Sequence, residues 1–349
     1  MQVSEAFFSP DYFTARRRFR EIVAEAGGRL EKIPLDAKGP HEEELGIDIA
    51  WFGTANPHRA ILHSSGLHGV EGFAGSAIQL QLLKNLPNLP EDAALIVAHI
   101  LNPYGMAWLR RFNENNVDLN RNFLGNEPYA GAPQAYSSLD AFLNPQSPPR
   151  SDLFTLKAGW LIVRYGLPAL KVAVVGGQYE YPKGLFFGGK HLEQEGEEYQ
   201  AFLATRLASV KRLIAIDVHT GIGNYGEDIL LVEPNDYSKI QPLFGERVVP
   251  PDPEKSDSYP VRGALDTMFG RALPQAEIFA VTQEFGTFSP TKVLHALREE
   301  NRWHHHGGGT IGHSTKKILK NTFCPEDTTW RQSILNRGVD LLNQALAKL

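Results

Sequence analysis

Seven short apolar runs, alternating with segments of helical character, set the strongest limit on what this chain can fold into. They are DIAWFG (48–53), RAILHSS (59–65), AALIVAHIL (93–101), KVAVVGG (171–177), RLIAIDVH (212–219), DILLVE (228–233) and EIFAVTQEF (277–285). Runs of this length and composition read as strands. Helix-like segments fall near 73–85, 154–165, 193–210, 263–273, 290–303 and 327–347. The alternation predicts an α/β fold, a mixed central sheet with helices on both faces. A first helix is expected over 10–26, with Ser9 as its cap, Pro10 in the first position and the pair Gly27 and Gly28 ending it. No repeat or flexible linker divides the chain, so residues 1–349 read as a single domain. Two proline-bearing stretches, 124–150 and 233–262, break the alternation as long loops that either shape a site or decorate the surface.

Composition narrows the partners. With 35 Lys and Arg against 40 Asp and Glu, the net charge of -5 leaves no electrostatic footprint for nucleic acid. The amino terminus lacks the features of a secretory signal, and no segment offers the ~18 apolar residues of a membrane span. The expectation is a soluble, cytoplasmic protein with neither nucleic-acid nor membrane partners. Cys324 is the only cysteine, so no internal disulfide can form, and FCPED gives it no neighbouring histidine to activate it as a nucleophile.

Chemistry concentrates where four of the apolar runs end. In GLHGVEGFAG, His68 and Glu71 stand three apart at a strand-to-helix turn, where an imidazole and a carboxylate can converge on one metal ion. Glu71 alone would equally well favour the helix amino terminus. LNPYGMAWLRRFNENNVDLNRNF (101–123) follows the third run with three arginines and six asparagines, donors suited to a carboxylate or an oxyanion, or simply to a polar surface loop. His219 closes a buried run where open α/β sheets place ligands, although a satisfied core histidine fits the same pattern. Glu284 closes another, and a single shared cleft accounts for all four features together.

Taken in order, these motifs resemble the carboxypeptidase A type of zinc metallopeptidase, most closely a divergent branch with aminoacylase-like deacylase relatives. The resemblance covers about 60–290. It implies that His68, Glu71 and His219 bind one Zn²⁺, that Glu284 is the catalytic glutamate and that Arg111, in the Arg-x-Asn pattern with Asn113, polarises the scissile carbonyl. In VDLNRNF it implies that Asn120 and Arg121 hold the substrate's terminal carboxylate and that Asp118 orients a zinc-binding histidine. The substrate-capping tyrosine of the family is placed at Tyr259, with Arg262 nearby. The chain departs from the pattern at Asn116 and at Thr220 and Gly221 after His219, which bears on the substrate rather than on the metal. The implied activity is hydrolysis of an amide bond in a small peptide or an acyl amino acid; a zinc-binding interaction protein without catalysis is the competing reading.

Other motifs imitate sites. GLFFGGKH (184–191) resembles a phosphate-binding loop, but His191 stands where that loop needs Ser or Thr, so a tight turn lining the cleft is expected. His304, His305 and His306 sit at a predicted helix end, where they can meet terminal carbonyls, line an entrance or bind a second metal. His63 and His99 read as structural, and Asp217 either braces the site or bonds to nearby backbone.

Overall fold

The computed structural model describes residues 3–250 and 261–349. One sheet contains seven strands: β1 (Arg29–Lys38), β2 (Glu44–Gly53), β3 (Arg59–Ser65), β4 (Ala93–His99), β5 (Arg212–Tyr225), β6 (Asp228–Leu231) and β7 (Glu277–Gly286), in the order β1-β2-β4-β3-β5-β7-β6. The central four, β4, β3, β5 and β7, are parallel, while β2 is antiparallel to both β1 and β4, and β6 to β7. Every residue of β4 is buried, and all of β3 after Arg59, as expected of parallel strands covered on both faces.

Period-two alternation divides the sheet's side chains between two cores. Ile61, Ile214, Ile216 and Val281 pack on one face under the helices Tyr12–Glu25, Gly72–Lys84 and Thr328–Leu346. Leu62, Leu213, Ala215 and Ala280 pack on the other, with Leu203 of Gln194–Arg206 and Met268 of Asp266–Ala272. The mixed sheet with helices on both faces is therefore present. No single helix among the described residues is long and apolar enough to cross a membrane.

Several elements differ from the sequence expectation. KVAVVGG is not a strand: Leu167–Val175 is helical, with Pro168 in its first turn and neighbours Ala173 and Val174 buried while Val172 is exposed. A helix can bury two adjacent residues on one side, whereas a strand turns them to opposite faces. β1 was not foreseen, because only Ile33 and Leu35 of its ten residues are buried and Pro34 lies between them. The first helix starts at Tyr12, capped by Asp11, whose Oδ1 accepts from the Thr14 amide at 2.8 Å, while the Ser9 hydroxyl is engaged by Arg18. A helix over Ser314–Phe323 was also missed, and the presumed loops 124–150 and 233–262 contain the helices Gln134–Leu143 and Tyr237–Phe244. β5 runs past His219 to Tyr225, its pairing with β7 becoming irregular after Thr220.

Candidate metal centre

The stretch from β3 to the next helix is shaped by close backbone packing. His68 precedes a single turn, Gly69–Glu71, that leads directly into Gly72–Lys84. The amides of Gly69 and Val70 donate to the carbonyls of Arg111 (3.1 Å) and Arg110 (2.8 Å), clamping this turn to the arginine segment. A Cβ on Gly69 would lie 2.2 Å from the carbonyl carbon of Gly105, so glycine between the two candidate ligands is a steric requirement. Asn102 fixes the opposite wall: its Oδ1 accepts from the Gly105 amide at 2.7 Å and its Nδ2 donates to the Arg111 carbonyl at 3.2 Å.

On this scaffold three buried donors meet. His68 Nδ1 lies 3.0 Å from Glu71 Oε1 and 3.1 Å from His219 Nδ1, which is itself 3.4 Å from Glu71 Oε2. Donors at about 2.0–2.2 Å from a tetrahedral zinc stand roughly 3.3–3.6 Å apart. Two imidazole nitrogens and one carboxylate at nearly that spacing fit a small divalent ion, with one corner left for water or substrate. The three residues come from the end of β3 and from β5, its parallel neighbour, which explains how positions 151 residues apart converge.

The outward-facing nitrogens are held by carboxylates. His219 Nε2 is 2.6 Å from Asp217 Oδ2, whose Oδ1 accepts from Ser64 Oγ at 2.7 Å. His68 Nε2 is 3.0 Å from Asp118 Oδ1. A proton on His219 Nε2 leaves its Nδ1 lone pair directed at the donor triangle. Burial opposes ionisation of His219, but Asp217 and Glu71 override it and hold its pKa well above the ordinary range. Burial likewise opposes ionisation of Asp118 and Glu71, yet the charges of Arg111 and His68 on the first, and of His68 and its neighbours on the second, keep both pKa values low. Arg111 is packed against these same groups, donating to Glu71 Oε1 (2.9 Å) and Asp118 Oδ2 (3.0 Å), with Nη2 2.7 Å from His68 Nε2.

Glu284 lies opposite His219 in the β5–β7 register, so both side chains face the same way. The Ile222 amide donates to its Oε1 at 3.0 Å. Burial, reinforced by the charge of Glu71, pushes its pKa up to about 8. A cavity of about 330 Å³ is lined by the three donors, Glu284, Arg111, Asn120 and Arg121. Arg121 donates to the carbonyls of Val175 and Asn120, and Asn120 Oδ1 accepts from the Leu265 amide at 2.9 Å. Tyr259 lies outside the described residues. Arg262 reaches Glu127 and nearby carbonyls at the surface.

Residues 8–337 match the model of a family described as "Protein of unknown function (DUF2817)". The chain belongs to this family. Among curated proteins, none matches the sequence. Solved structures similar to it include bovine thrombin-activatable fibrinolysis inhibitor in complex with tick carboxypeptidase inhibitor, at 12% identity over 96% of this chain and 98% of that one, with a TM-score of 0.47. Carboxypeptidase A from Helicoverpa armigera is similar at 14% identity over 90% and 74%, with a TM-score of 0.45. A protein described under the succinylglutamate desuccinylase/aspartoacylase family, from Shewanella amazonensis, is similar at 17% identity over 81% and 73%, with a TM-score of 0.41. Similarities this distant carry no functional inference, so the chemistry of this DUF2817 chain is read from its own residues.

The remaining motifs resolve without further metal chemistry near the cradle. GLFFGGKH is a tight turn: Asn122 Nδ2 donates to the carbonyls of Gly188 and His191, and Phe186 forms a cavity wall. None of His304, His305 and His306 lines the 330 Å³ cavity. His63 and His99 are fully buried, and burial lowers both pKa values to about 4. Sequence reasoning missed two buried polar clusters. Glu300 accepts from both Arg110 and Lys316, and Glu114, Glu193 and Glu195 gather beside Asn113. Arg110, Glu300 and Lys316 come from separate segments, and Glu114 from a different segment than Glu193 and Glu195, so no local spacing announces either cluster.

Proposed function

We propose that this protein is a zinc-dependent hydrolase that cleaves an amide bond in a small carboxylate-bearing substrate, a short peptide or an acyl amino acid. The observation that carries this reading is the convergence of His68, Glu71 and His219, whose donor atoms stand 3.0–3.4 Å apart, with Glu284 paired beside them. His68, Glu71 and His219 would hold the zinc ion, whose positive charge would acidify a reacting water and favour the ionised form of Glu284.

Glu284, held at one oxygen by the Ile222 amide, takes the proton of the attacking water and delivers it to the leaving amine. Arg111 lines the cavity beside the donors and stabilises negative charge developing on the substrate carbonyl oxygen. Arg121 presents a planar fork of five N–H groups; three are engaged by Val175 and Asn120 carbonyls among the described residues, and two serve the substrate carboxylate. Fixing that carboxylate orients the amide for attack. Glu284→Gln tests the reading, because the neutral amide keeps the shape but cannot take a proton. It should bind zinc like the parent and lose hydrolysis of every amide in a panel of dipeptides and N-acyl amino acids. A fully active Glu284→Gln enzyme refutes the assignment, and the panel itself separates peptidase from deacylase.

A further inference from the structure

A second cavity, of about 360 Å³, opens beside the first. The two share walls at Phe186, Ile222 and Val293, and the backbone of Ile222 is the group that holds Glu284. The second cavity therefore begins within one residue of the proposed base. Its other walls come from four helices, represented by Leu139, Leu161, Val174 and Leu294. Among the described residues, no Asp, Glu, Lys, Arg or His lines it, and Asn224 and Thr291 supply the polar side chains.

This lining discriminates between occupants. A peptide extending past the scissile bond carries an N–H and a C=O per residue, and each buried without a partner is unfavourable. A polymethylene chain has no such groups and gains from every methylene removed from water. The groups that would hold a carboxylate head, the Asn120 amide and the Arg121 guanidinium, line the first cavity and not the second. Phe186 lies at the boundary, with the guanidinium carbons of Arg111 and Arg121 5.6 Å and 6.0 Å from its ring centre. A molecule with an ionic head, an amide and an apolar tail matches the pair of cavities in that order.

We propose that the second cavity holds the acyl chain of the substrate, so that the substrates are amino acids N-acylated with medium- or long-chain fatty acids. The inference rests on the hydrolytic reading of the metal centre. The reaction breaks the amide C–N bond, places the water oxygen on the acyl carbon and a proton on the departing nitrogen, and releases a fatty acid and an amino acid. No oxidant or reductant is consumed.

The test uses the zinc-loaded protein and a series of acetyl, hexanoyl and decanoyl amides of the same amino acid, repeated for amino acids with apolar, acidic and basic side chains. Hydrolytic efficiency, kcat/KM, should rise about three- to fourfold per added methylene until the cavity is filled. Decanoate should bind the Glu284→Gln protein about a hundredfold more tightly than hexanoate by calorimetry. Ala158→Trp and, independently, Leu294→Phe narrow the cavity from different helices and should remove the dependence on chain length, with zinc content and circular dichroism verifying the fold. Hydrolysis of acetyl substrates or dipeptides with no gain from chain length overturns this inference alone. Absence of hydrolysis for every amide overturns the hydrolytic reading and this inference with it, even if decanoate binds.

Discussion

Replacing Asp217 probes how the protein prepares His219 for a metal. The carboxylate is nearly buried, 2.6 Å from His219 Nε2, and its other oxygen is tied to Ser64. Asparagine preserves the shape and can still accept from the imidazole, but it replaces a charge-assisted hydrogen bond by a neutral one about half as strong. Removing carboxylate partners of metal-bound histidines costs about 10–100-fold in affinity. Asp217→Asn should lie near the lower limit, a loss of about 1.4 kcal/mol, and Asp217→Ala near the upper, about 2.7 kcal/mol. A second effect opposes this one. In the parent, Asp217 overcomes burial to hold His219 protonated well above its ordinary pKa, so metal binding near neutrality must expel a proton. The asparagine variant binds that proton less tightly. The affinity gap should therefore be small near neutral pH and widen as pH rises and the parent's His219 deprotonates. Competition with a chromophoric zinc chelator across that range reads the gap directly. An affinity ratio that does not change with pH, or no loss at alkaline pH, refutes the reasoning.

Two further variants test buried charge away from the metal. Glu300→Gln leaves Arg110 and Lys316, both fully buried with it, without their shared carboxylate, and should destabilise the fold by about 3–5 kcal/mol in urea titrations. A loss below about 1 kcal/mol contradicts that account. Burial and the charge of Glu114 raise the Glu195 pKa from 4.5 to about 8. Between those values the unfolded chain has released a proton that the folded chain keeps, so stability should fall as pH rises through that window. Glu195→Gln should flatten this slope and stabilise the protein at neutral pH, as read from melting temperatures across the same range.

What the sequence disclosed depended on how local the signal was. His68 and Glu71 share one turn, and His219 and Glu284 each lie in an apolar run, so residue type and position were enough to mark them. The Asp217–Ser64 bond depends instead on the parallel pairing of β3 with β5, in which those two residues face each other. β1 escaped notice because its alternation is mostly charged and exposed, and KVAVVGG misled because β-branched residues also suit a helix packed on one side. The approach of Gly69 to Gly105 and the second cavity are tertiary facts, assembled from segments whose individual sequences are unremarkable as sites.

The central claim is that His68, Glu71 and His219 form a single metal site. Its most direct test is the stoichiometry of tightly bound zinc in the purified, metal-reconstituted protein, beside that of His219→Ala, with circular dichroism confirming that both are folded. One equivalent in the parent and none in the variant is the predicted result; a folded variant that retains a full equivalent, or a parent that binds none, contradicts it.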